Sequence, residues 1–101
     1  MPRTQYEVII RTRNELASLP GIPLQELCRL CECQMPIMRR LVDTGLLEPI
    51  STRGEPLYAT HCVIRARKAL RLKRDLGLNF DALALVMELL DRIEDLERRL
   101  R

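Results

Sequence analysis

The stretch that decides the fold covers residues 24–47 and reads LQELCRLCECQMPIMRRLVDTGLL. Polar residues 32–34 in its middle predict a tight turn between two helical segments. The segment before that turn predicts a helix of about two turns, because apolar side chains recur there at helical spacing. These side chains are Leu24, Leu27, Cys28 and Cys31.

A second helix is predicted directly after the turn. Pro36 suits its first turn, where a missing N–H costs nothing, and Gln34 or Met35 lies near its cap. Gly45 supplies the left-handed residue that ends it. Its predicted buried side chains are Ile37 or Met38, Leu41 and Val42. Two short helices joined in this way are typical of a helix-turn-helix.

The chain after Gly45 predicts a wing and a basic third helix. The turn-rich residues 51–56, which lie between residues 46–50 and residues 57–59, indicate a small β-hairpin. Thr60 is a suitable N-cap for the third helix, which Gly77 ends. Its predicted core face holds Cys62, Ala66, Ala69 and Leu76, with Val63 and Leu70 alongside, and its other side holds Arg67, Lys68, Arg71 and Arg74.

The last helix is predicted from Phe80 to the end, with Asn79 as its cap and Asp81 in its opening turn. A heptad seam runs along it, formed by Ala82, Val86, Leu89, Ile93, Leu96 and Leu100. We expect Leu83, Leu85 and Leu90 to widen the apolar surface toward the core. We also expect the seam to form a homodimer, the alternative being a helix that packs back on its own domain.

Together these elements predict a mostly α-helical winged helix-turn-helix with a small β-hairpin wing and a long C-terminal helix. Within a single compact domain, residues 1–22 form an N-terminal arm, residues 23–78 the winged helix-turn-helix and residues 79–101 the C-terminal helix. In the arm, Tyr6–Ile10 is expected to be a short strand and residues 11–23 a linker.

Charge is spread unevenly over the 101 residues. The net charge is +3, but residues 1–75 hold 13 Lys/Arg against 8 Asp/Glu, whereas residues 76–101 hold 4 against 6. One surface would therefore suit phosphate and another a basic protein. Without a signal segment or a membrane-spanning apolar run, the chain is expected to be cytoplasmic, with its four cysteines reduced.

Two sets of segments carry a family resemblance. Residues 24–39, the run Gly45-Leu46-Leu47-Glu48-Pro49, the wing to Tyr58 and residues 71–78 resemble the MerR-type winged helix. Cys28, the Gly45 turn and residues 69–76 continuing through 85–93 are similar to one branch of that group, the CbpM chaperone-modulatory family. The likeness covers residues 22–101.

This resemblance implies a regulator that binds the J-domain of a DnaJ-like co-chaperone of the CbpA type and blocks its action on Hsp70, without a cofactor. Because J-domains of this kind present a basic helix, an inhibitor should offer carboxylates and an apolar centre. The expected contacts are Asp81, Glu88, Asp91, Glu94 and Asp95. Glu88, Asp91 and Asp95 share one helix face, although a merely solvated face is the alternative.

The alternative function is a MerR-like DNA-binding transcriptional regulator. In that group the second helix enters the major groove, and an arginine near its middle, matched here by Arg39, holds the DNA backbone together with wing residues. The candidate contacts are Arg39, Arg40, Arg53, Tyr58, Arg67, Lys68 and Arg71. The tyrosine pair that ordinarily follows is replaced by Arg40-Leu41, and Asp43 adds a carboxylate, which weakens this interpretation.

The cysteines allow a metal site in principle. Cys28, Cys31, Cys33, His61 and Cys62 have types and spacings that zinc accepts. However, Cys28 and Cys33 fall where small apolar residues of a helix-turn-helix face the core, so we expect packing and no metal. With a single histidine, no Gly-rich phosphate loop and no nucleophile elbow, the chain is not expected to be an enzyme or to bind a small-molecule substrate.

Overall fold

The computed structural model describes residues 21–101, so the predicted strand at Tyr6–Ile10 and the arm up to residue 20 lie outside the described part. The elements are β1 (Ile22–Pro23), α1 (Leu24–Cys31), α2 (Met35–Asp43), β2 (Leu57–Tyr58), α3 (His61–Leu76) and α4 (Phe80–Arg99). Four helices with one small sheet confirm the predicted fold class. No helix in residues 21–101 is long and apolar enough to cross a membrane.

The turn between α1 and α2 forms where the sequence predicts it. Glu32 adopts the left-handed conformation, with φ 53°, and the next N–H, that of Cys33, donates to the Cys28 carbonyl at 3.1 Å. Gln34 is the extended N-cap of α2, and Pro36 lies in the first turn. Gly45, with φ 84°, is the predicted left-handed residue after α2. These features fix the short connection that a helix-turn-helix needs.

The sheet joins the segment before α1 to the wing. β1 pairs antiparallel with β2, with Ile22 opposite Tyr58 and Pro23 opposite Leu57. The linker prediction is therefore wrong for Ile22 and Pro23. The wing hairpin closes through two hydrogen bonds, from the Ile50 N–H to the Leu57 carbonyl at 2.8 Å and from the Leu57 N–H to the Ser51 carbonyl at 3.0 Å. Because so short a hairpin is marginal alone, β1 adds the pairing that stabilises it.

The core is aliphatic and draws on every element. No buried residue in the described part of the chain is polar or charged, so burial of apolar surface stabilises the fold without a desolvation cost. The buried residues are Ile22, Leu27, Leu30, Met38, Leu41, Leu46, Leu47, Tyr58, Cys62, Val63, Ala66, Ala69, Leu83 and Met87.

Two predicted core residues are instead exposed. Leu76 is 61% exposed because it ends α3, beyond the last buried residue of that helix, Ala69. Leu85 is 57% exposed, because two residues along a helix amount to a rotation of about 200° from the buried Leu83. Met87, fully buried, takes the place that the sequence analysis gave to Leu85.

The caps of the last two helices differ from each other. Asn79 caps α4 as predicted, because its Oδ1 accepts a hydrogen bond from the Ala82 N–H at 2.8 Å. Thr60 occupies the N-cap position of α3, but its side chain makes no capping hydrogen bond, so the predicted capping role is wrong. Its backbone is already helical, with φ −57° and ψ −36°, whereas a capping side chain needs an extended residue.

Candidate partner-binding surface

One side of α4 is apolar and uncovered. We call Ala82, Val86, Leu89, Ile93, Leu96 and Leu100 the apolar seam. Its four largest members are 50%, 51%, 56% and 88% exposed, for Leu89, Ile93, Leu96 and Leu100 respectively. No described residue of α4 after Met87 is buried. The last four residues of the seam therefore lie at the surface of the described chain, whereas Ala82 and Val86 are half-buried.

The predicted partner-binding carboxylates fall into two groups. Three of them form ion pairs within the chain: Asp91 with Arg65, Glu94 with Lys68 at 3.4 Å, and Asp95 with Arg99 at 2.9 Å. The other two, Asp81 and Glu88, are exposed and have no ion-pair partner among residues 21–101. Within the described part of the chain, these two carboxylates are therefore exposed and unpaired.

Asp81 and Glu88 lie on one continuous strip of the α4 surface. They are seven residues apart, and the exposed Leu85 lies between them, four residues after Asp81 and three before Glu88. At 3.6 residues per turn, this spacing places all three on one face. We call Asp81, Leu85 and Glu88 the acidic strip. It offers two carboxylates around an apolar side chain, and its middle is about 90° around the helix from that of the apolar seam.

Arg65 makes the best-formed polar contact on this side of the molecule. Its Nη1 and Nη2 donate to the two carboxylate oxygens of Asp91 at 2.9 and 2.8 Å, and its Nε donates to the Leu46 carbonyl at 2.6 Å. These hydrogen bonds lower the pKa of Asp91 and raise that of Arg65. The sequence analysis did not identify Arg65 as a site residue. Its ion-pair partner, Asp91, is 26 residues away, and a pair so far apart produces no local sequence pattern.

Two clefts flank the Arg65–Asp91 ion pair. Gly45, Leu46, Arg65 and Asp91 line both of them. The larger cleft, about 470 Å³, continues toward Glu48, Ile50 and His61. The smaller one, about 230 Å³, continues toward Thr44, Ala84 and Glu88. Glu88 of the acidic strip therefore borders a groove whose floor is the turn after α2.

The structure buries one of the predicted DNA contacts and gives three others partners within the chain. Tyr58 is only 2% exposed and packs in the core, which corrects its assignment as a DNA contact. Arg67 donates through Nη2 to the Leu30 carbonyl at 2.5 Å, and Lys68 pairs with Glu94. Arg40 lies over the ring of Phe80, with 4.6 Å between the guanidinium carbon and the ring centroid. These three basic side chains have structural partners of their own.

Three of the predicted DNA contacts remain open to solvent. Arg39 on α2, Arg53 in the wing and Arg71 on α3 are all exposed. None of them has an ion-pair partner in the described part of the chain. Arg40, Arg67 and Lys68 differ from these three because each has a contact within the described chain.

The cysteines pack against the core as predicted. Cys62 is buried, and Cys28, Cys31 and Cys33 are half-buried beside it. The Cys31 thiol donates to the Val63 carbonyl at 3.7 Å, and the Cys28 thiol contacts the Met35 Sδ at 3.8 Å. Burial raises the pKa of Cys31 and of Cys33 to about 11. Over residues 21–101, His, Cys, Asp and Glu side chains form no group of three that would hold a metal ion.

Comparison with known proteins gives a family and named relatives. Residues 22–101 match the family described as MerR HTH family regulatory protein. Two relatives, both named Chaperone modulatory protein CbpM, come from the Dugway 5J108-111 and RSA 331 / Henzerling II strains of Coxiella burnetii. Each is 33% identical over 81 residues, which cover 79% of this chain and 76% of the relative. No solved structure shows significant similarity to the chain.

Proposed function

This chain is a CbpM-like member of the MerR helix-turn-helix regulatory family, and we propose that it modulates a chaperone. Its partner in this proposal is the J-domain of a DnaJ-like co-chaperone of the CbpA type, whose action on Hsp70 it inhibits in the cytoplasm. The observation that carries the proposal is the acidic strip, because it presents two exposed carboxylates around an exposed leucine on one helix face.

The chemistry of the acidic strip fits a basic helix. Glu88 and Asp81 would meet cationic side chains, and Leu85 would provide the apolar centre that specific interfaces need. Like-charged competitors, such as nucleic acid, would be repelled by the same carboxylates. The smaller cleft beside Glu88 adds a recess in which a long basic side chain of the partner would lie.

The apolar seam completes the proposal with a second copy of this chain. Exposed apolar stripes with heptad spacing are stabilised by a matching helix, and the seam has this spacing over three heptads. Because Asp81 and Glu88 lie about 100° to 120° around α4 from the middle of the apolar seam, a dimer leaves their carboxylates accessible. The proposed assembly is therefore a homodimer that offers two partner-binding surfaces.

Capture of a purified J-domain of the CbpA type tests the proposal. We expect the full chain to bind it and Glu88→Lys to weaken binding by about tenfold or more, since reversal replaces attraction with repulsion. Glu97→Lys is the matched control. It makes the same charge change on the same exposed helix, nine residues away and therefore on the opposite side. Equal effects of the two reversals would reject the acidic strip.

DNA binding is the second candidate, and only Arg39, Arg53 and Arg71 favour it. A mobility-shift measurement over a range of salt concentrations separates the two functions. If phosphate contacts dominate, affinity falls steeply with salt and Arg39→Gln weakens it. Tight binding to DNA together with no capture of the J-domain would overturn the chaperone proposal.

A further inference from the structure

The geometry points to Arg65 as the positioning residue that holds Glu88, the last residue of the acidic strip, in place for its partner. Arg65 acts by fixing α4 to the turn after α2 through Asp91 and the Leu46 carbonyl. Asp91 is acidic and lies on α4, but in this inference it stabilises the position of the helix and does not contact the partner. This inference rests on the proposed function and deepens it, because it separates the residues that bind from those that orient the binding surface.

Packing alone leaves the second half of α4 weakly fixed. The buried residues of this helix are Leu83 and Met87, and none follows within the twelve residues from Glu88 to Arg99. Apolar contact therefore secures the first two turns only. The remaining turns need polar contacts to hold a single direction relative to the helix-turn-helix.

Arg65 supplies the contact with the strongest directional preference. Two parallel hydrogen bonds to Asp91 restrain both distance and rotation, as planar guanidinium–carboxylate pairs do. The third hydrogen bond, from Nε to the Leu46 carbonyl, attaches the same guanidinium to the buried turn after α2. The Lys68–Glu94 pair, by contrast, is a single contact of 3.4 Å between a flexible ammonium and an exposed carboxylate.

Asp91 lies close enough to the acidic strip for this restraint to reach it. Glu88 is three residues before Asp91, less than one turn away. Both residues line the smaller cleft together with Arg65 and Leu46. Arg65 itself is only 28% exposed on its side chain, and each of its three side-chain nitrogens already donates a hydrogen bond within the chain. Its contribution to binding would therefore pass through the position of α4.

A double-mutant cycle tests this role with neutral substitutions. We expect Arg65→Gln and Asp91→Asn each to weaken J-domain capture by about fivefold, the effect of one partly exposed ion pair. In the Arg65→Gln background, Asp91→Asn should then add no further loss, because the carboxylate acts only through Arg65. If Asp91→Asn weakens capture equally in both backgrounds, its carboxylate touches the partner and the inference is overturned.

Hydrogen exchange gives a readout that does not need the partner. Arg65→Gln should speed the exchange of the backbone amides of residues 92–100 while those of α1 stay unchanged, and Arg65→Lys should restore part of the protection. Arg74→Gln is the matched control, since Arg74 is on α3, is 73% exposed and, among residues 21–101, pairs only with its neighbour Asp75. Unchanged exchange in Arg65→Gln would reject the positioning role. If the wild-type chain captures no J-domain, the proposed function is rejected instead. The hydrogen-exchange result would still show whether Arg65 restrains α4.

Discussion

The guanidinium carbon of Arg40 lies 4.6 Å from the centroid of the Phe80 ring, which joins α2 to the first residue of α4. The ammonium of Lys73 lies 4.8 Å from the same centroid, so α3 contributes to this contact too. A cation near an aromatic face is attracted by the ring quadrupole. The only phenylalanine of the chain therefore links three helices, and Arg40 has a structural role in addition to any contact with DNA.

Phe80→Leu is expected to lower the free energy of unfolding by about 1 kcal/mol, because it keeps most of the apolar contact and removes the cation–π attraction. Chemical denaturation measures this change. Arg40→Gln should destabilise the wild type by a smaller amount and should have no effect in the Phe80→Leu background. An undiminished effect of Arg40→Gln in that background would show that Arg40 does not act through the ring.

Two leucines allow a matched test of the core. Leu83→Ala is expected to lower the free energy of unfolding by about 2–5 kcal/mol, because Leu83 is fully buried and its truncation leaves a cavity. Leu76→Ala should change stability by no more than about 0.5 kcal/mol, since that side chain is 61% exposed. Urea denaturation of both variants checks the pair. Similar losses would contradict the assignment of Leu76 to the surface.

These leucines also show how far the sequence predicts the fold. Helical spacing located α1, α2 and α4, and the left-handed turn at Gly45 followed from local chemistry, because such signals depend on neighbouring residues. Which face of α4 is buried depends on where α3 lies, and the heptad alone does not contain that information. For this reason Leu85 was placed in the core and Met87 was missed.

The candidate site was less predictable than the fold for the same physical reason. Sequence reasoning grouped five carboxylates by charge, but the structure pairs Asp91 with Arg65 and Glu94 with Lys68 across 26 residues in each case. Long-range pairing of this kind produces no periodic pattern. Among residues 21–101 it leaves Glu88 and Asp81 without an ion-pair partner, a distinction that only the fold makes.

The Arg65–Asp91 pair should make stability depend on acid pH. The hydrogen bonds from Arg65 hold the pKa of Asp91 below its ordinary value of 3.8. A carboxylate whose pKa is lower in the folded state than in the unfolded state stabilises the fold at pH values above its unfolded-state pKa. This stabilisation is lost as the pH falls through the folded-state pKa. When the pH is lowered from neutral to below about 4, the thermal unfolding temperature should therefore fall less in Asp91→Asn than in the wild type.

The expected difference is at most about 1 kcal/mol, because the Asp91 side chain is 45% exposed and solvent screens the pair. Asp75→Asn serves as the control, since its carboxylate forms an exposed pair with the neighbouring Arg74. If Asp75→Asn flattens the acid dependence as much as Asp91→Asn does, the pH effect does not come from the Arg65 contact.

Cys31 and Cys33 should resist alkylation in the folded chain. With a pKa of about 11, roughly one thiol in a thousand is ionised at pH 8, against roughly one in ten at the ordinary value of 9.0. Because the thiolate is the nucleophile, iodoacetamide should react about a hundredfold more slowly than with the unfolded chain. Mass spectrometry of both peptides, with and without urea, measures the ratio, and equal rates would contradict the packing described for these thiols.

Ile93→Lys should convert the proposed dimer into a monomer. Ile93 lies in the middle of the apolar seam, and a lysine there would bring two positive charges together in an apolar interface. Sedimentation equilibrium should give twice 11.8 kDa for the wild type and 11.8 kDa for the variant.

Ile64→Lys is the matched control, because Ile64 is 59% exposed on α3, outside the seam. A wild-type chain that stays monomeric at high concentration would reject the dimer. Since the acidic strip lies on another side of α4, monomeric Ile93→Lys should still capture one J-domain per chain.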